Sequence, residues 1–191
     1  MTTETFNEEV KSFEKEICRV ITLIYEKEKE IAPMILSYKY KKDSLNKEIG
    51  ILGNIGHLLV NEQTKTALKH AVRDTFEEIR PLVIAFVSEG SCTKIPKKDF
   101  KNITGIANFL KKKKESKAEE KIEIVTVNFE TANSKRSIIF KIDRSIENDP
   151  KLISDEDLTS DWIKKDPDFE GLLDNFLDVD YHPIVDLNSI N

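Results

Sequence analysis

The chain has 191 residues, 39% hydrophobic and 34% charged, with a formal net charge of −5. That length holds one sizeable domain with its own core, and six Gly and six Pro are too few for a turn-rich all-β fold. The two cysteines, Cys18 and Cys92, exclude a disulfide framework and lack the paired spacing of a zinc site.

The start, MTTETFNEEVKSFEKE, is acidic and polar where a secretory signal is basic and then apolar. No stretch approaches the roughly 18 apolar residues of a membrane span. A cytoplasmic protein without membrane contact is therefore expected. Charge is unevenly spread: Lys94 to Arg144 carries a balance of +7, and Lys151 to Asn191 one of −8. Blocks of opposite sign attract each other or recruit different partners.

From Thr3 to Ile49 the apolar residues recur every seven. Val10, Ile17, Ile24, Ile31, Tyr38, Leu45 and Leu52 form one series, with Phe6, Phe13 and Val20 as companions. This spacing predicts one face of a long helix. After Val20 the companion positions become mostly charged, and Ile17 to Tyr25 is apolar over more than one stripe. Both features favour a bundle helix over a coiled-coil rod, and Pro33 predicts a kink. Phe6, Val10, Phe13, Ile17, Val20 and Ile24 form the candidate interaction seam.

Gly50, Gly53 and Gly56 lack the Lys-Ser/Thr of a phosphate loop and read as a connector. A second helix is predicted from about Asn61 to Val87, bent at Pro81, with Leu68, Val72, Phe76, Ile79, Val83 and Phe86 on one face. Asp99 is placed to cap a third, ending in Lys111, Lys112, Lys113 and Lys114. From Lys121 to Asp143 the period falls to two, which predicts a β-hairpin.

Beyond Asp149-Pro150, Ser154 and Asp157 are spaced like a capping box. Phe169, Leu172, Leu173 and Phe176 then follow helical spacing on an acidic background. The expected fold is α+β and predominantly helical. A helical bundle with a kinked amphipathic N-terminal helix occupies 1–92, a basic helix plus β-hairpin 93–148, and an acidic C-terminal arm with a short amphipathic helix 149–191.

Lys111–Lys114, Lys117, Lys135 and Arg136 offer a positive surface to nucleic acid. Trp162, Phe169, Leu173 and Phe176 suit a partner's apolar groove with a basic rim. Asp166, Asp168, Glu170 and Asp174 partly follow a calcium loop, but Leu177 stands where the closing bidentate carboxylate belongs. His70, Arg73, Asp74, Glu77 and Glu78 share a helix face, as surface salt-bridge sets do.

No catalytic residue, metal site or cofactor is assigned. The sequence reads as a non-catalytic protein–protein interaction module, a scaffold or accessory subunit assembling through amphipathic helices. The alternative is a nucleic-acid-binding accessory protein using the basic helix–hairpin region.

Overall fold

The computed structural model describes residues 3–40, 47–92, 122–146, 149–156 and 159–164. Helix α1 (Thr3–Glu28) buries Val10, Phe13, Ile17, Ile21 and Tyr25, a stripe spaced by threes and fours. It stops where Lys29 turns left-handed (φ 60°) and donates its N–H to the Tyr25 carbonyl at 2.9 Å. Pro33, which has no N–H to offer, keeps the chain extended into the next element.

Seven strands follow, interrupted by one more helix. They are β1 (Met34–Tyr40), β2 (Lys47–Leu52), β3 (Val83–Cys92), β4 (Ile122–Glu130), β5 (Ser134–Asp143), β6 (Lys151–Ser154) and β7 (Ile163–Lys164). All pair antiparallel in one sheet of order β2-β1-β3-β4-β5-β6, with β7 also on β5. Helix α2 (Glu62–Ile79) lies between β2 and β3 in sequence. The Asn61 side chain caps it by accepting from the Thr64 N–H at 2.9 Å. Left-handed Arg80 and then Pro81 end it.

The sheet is covered on both sides. Leu36 and Tyr38 of β1, Val83, Ala85 and Val87 of β3, Val125, Val127 and Phe129 of β4, and Phe140 and Ile142 of β5 share one core with α1. The alternate residues Ile35, Ile84 and Phe86 meet Leu68, Val72 and Phe76 of α2 on the opposite face. Strands buried on both faces read as unbroken apolar runs rather than alternations.

The expected helical bundle is thereby overturned. Among the described residues there are two α-helices, on opposite faces of a seven-stranded antiparallel sheet. Among the described residues the amphipathic face of α1 packs on strands of its own chain. Met34–Tyr40, predicted as helix beyond a kink at Pro33, is a strand; Lys47–Leu52, predicted as helix to Ile49 and then connector, is another; and Val83–Cys92, whose first part to Val87 is predicted as the end of the second helix, is a third. The 121–143 hairpin corresponds to β4 and β5. Strands from all three stretches delimited at 92 and 148 enter the same sheet. The expected third helix at 99–110 lies outside the described residues.

Gly50 meets Ser37 directly across β1 and β2. A Cβ there would stand 2.6 Å from the Ser37 hydroxyl oxygen, so the strands approach closely because one of them has no side chain. Gly50→Ala is expected to cost about 1–3 kcal/mol through overpacking. Ser37→Ala in the same chain should recover most of the loss. Denaturant unfolding of the single and double variants checks this.

Candidate interaction surface

Of the sequence-derived seam, Val10, Phe13 and Ile17 are buried in the α1–sheet core. Phe6 and Ile24 pack partly buried against it, and Val20 is half-buried. The seam thus meets the chain's own strands. Trp162 also packs partly buried against this core, just before β7, while Phe169, Leu173 and Phe176 lie outside the described residues.

Of the seven candidate basic residues, Lys135 and Arg136 lie among the described ones. Arg136 extends Nη1 to both oxygens of Glu14, at 3.2 and 3.1 Å, and its Nε donates to the Ser160 carbonyl at 3.0 Å. Glu14 itself is only 6% exposed. Lys135 is half-buried and engaged as well. Lys111–Lys114 and Lys117 lie outside the described residues, as do Asp166, Asp168, Glu170 and Asp174.

His70, Asp74, Glu77 and Glu78 sit on the exposed side of α2, with Arg73 half-buried and engaged. Cys18 sits beside Glu14. Burial first, then the Glu14 carboxylate, pushes its thiol up to about 11, against the opposing pull of Arg136. A thiol so protonated is a poor nucleophile at neutral pH. The Tyr25 hydroxyl, which has no hydrogen-bond partner among the described residues, has its pKa raised mainly by burial. Among the described residues no three His, Cys, Asp or Glu side chains gather to hold a metal. Among the same residues no helix is long and apolar enough to cross a membrane.

Among the described residues one flank of the sheet is open. β2 is the edge strand, and among the described residues nothing pairs with its outer side. Ile49, Ile51 and Leu52 on it are 40, 67 and 46% exposed, and Leu23 on α1 is exposed too. Ile49 and Ile51 share a face with Tyr38 and Leu36, the α1 side, by the register Tyr38↔Ile49 and Leu36↔Ile51. Because α1 lies over the inner strands, a groove of about 400 Å³ remains between it and this edge.

The apolar lining of the groove is Phe13, Tyr38 and Ile49, and its α1 wall carries Lys15, Glu16 and Arg19. Phe13 stacks on Tyr38 (centroids 5.0 Å apart, planes at 23°) and meets Phe129 edge-on at 6.1 Å. The Tyr38 hydroxyl donates to Glu9 at 2.9 Å. Arg19 holds Glu16 through two contacts, 2.6 and 3.1 Å, which lower the carboxyl below its usual range.

The opposite edge is built otherwise. There β5 is flanked by β6 and β7, of four and two residues, with Asp155, Thr159 and Ser160 bonding its main chain between them. Short, interrupted strands are poor templates for pairing. β2 is continuous, and in sequence its signal is the period-two triplet Ile49-Gly50-Ile51, which the helical reading of residues 3–49 concealed. Comparisons with protein-family models, curated proteins and solved structures found no match.

Proposed function

We propose that the protein is a non-catalytic assembly module whose copies join edge to edge through β2. The observation that carries this reading is a regular edge strand, unpaired on its outer side among the described residues, bearing three exposed apolar side chains, Ile49, Ile51 and Leu52. Unpaired strand N–H and C=O groups beside exposed apolar residues are a template for another strand.

Side-chain chemistry selects the register. Centring an antiparallel pair on Glu48 sets that carboxylate against its own copy, which is unfavourable. Centring the two-fold axis on Gly50 instead places Ile49 opposite Ile51 twice over and Glu48 opposite Leu52. It keeps both copies of α1 on the same face of one continuous sheet.

The size of the contact sets its strength. Fully burying an Ile or Leu contributes about 1.5–3 kcal/mol, and each of the three is about half-exposed, giving roughly 6 kcal/mol over two copies. Strand hydrogen bonds add about 0.5–1.5 kcal/mol each. Association costs about 4–15 kcal/mol in lost freedom. The dimer is therefore weak and concentration-dependent.

Sedimentation over a concentration series is expected to give a reversible monomer–dimer equilibrium. Ile51→Lys should abolish it at unchanged thermal midpoint, since Ile51 is mostly in solvent. Under mild oxidation, a mixture of Ile49→Cys and Ile51→Cys chains should cross-link while neither variant does alone. A monomer at every concentration, or a dimer indifferent to Ile51→Lys, refutes the reading.

A further inference from the structure

We draw no further inference here: the strongest candidate, the groove between α1 and β2 lined by Phe13, Tyr38, Ile49 and Lys15, carries nothing, because nothing among the described residues shows what covers it.

Discussion

Arg136→Ala is expected to lower the unfolding free energy by about 3–5 kcal/mol, the cost of leaving one member of a buried ion pair without its counter-charge. Glu14 lies on the buried face of α1, within a turn of Val10, Phe13 and Ile17, and its carboxylate meets Arg136 through two contacts. Arg136 also bonds the Ser160 carbonyl, so one side chain ties the helix, β5 and the stretch before β7 together. Its removal strands a buried carboxylate and frees that stretch at once.

The reciprocal change is informative. Replacing both partners by apolar residues of similar length, Glu14→Leu with Arg136→Met, removes the uncompensated charge and should recover most of the loss. Equilibrium denaturation of the wild type, Arg136→Ala and the double variant measures both effects. A loss below about 1 kcal/mol for Arg136→Ala, typical of exposed pairs, would show that solvent replaces the guanidinium without difficulty.

This pair also marks where sequence reading stops. By sequence Arg136 reads as part of a cationic surface, because Lys135 and Arg136 stand near other basic residues. Nothing local distinguishes a guanidinium destined for Glu14, 122 positions away, from one destined for solvent. The hairpin of β4 and β5 was legible because Ile122–Glu130 alternates with the two-residue period that pairing imposes.

β1 and β3 were not legible. Leu82 to Val87 is buried throughout, since α1 and α2 cover opposite faces, and a strand apolar on both sides loses its period. The heptad from Val10 to Leu52 misled for a related reason. A seven-residue spacing fixes a face only while the chain stays helical. Ile31 and Tyr38 reach the same core by way of the Lys29 turn and a strand. The open edge was hidden by the same error, because a helix would have carried Ile49 and Ile51 to different sides.

Phe13→Ala is expected to cost about 3–5 kcal/mol, as for other large aromatic truncations in cores. The ring is 2% exposed and wedged between Tyr38, on which it stacks, and Phe129, whose edge it meets. Such ring pairs contribute about 0.5–1.5 kcal/mol beyond area burial, so the truncation removes two of them as well as leaving a void. Phe13→Leu, which keeps most of the volume, should cost less than half as much, and the difference estimates the aromatic share.

Phe13 also lines the groove beside Ile49, which makes its substitution a poor probe of assembly. Phe13→Asp would abolish a dimer by unfolding the protomer, whatever surface the dimer used. Ile51 is the decisive position because it is mostly in solvent and outside both buried cores. If Phe13→Ala loses stability as expected while Ile51→Lys loses only association, folding resides in the core under α1 and assembly on the exposed edge of β2. If both variants lose stability equally, Ile51 contributes to the fold, and β2 is not the free edge on which the assembly reading depends.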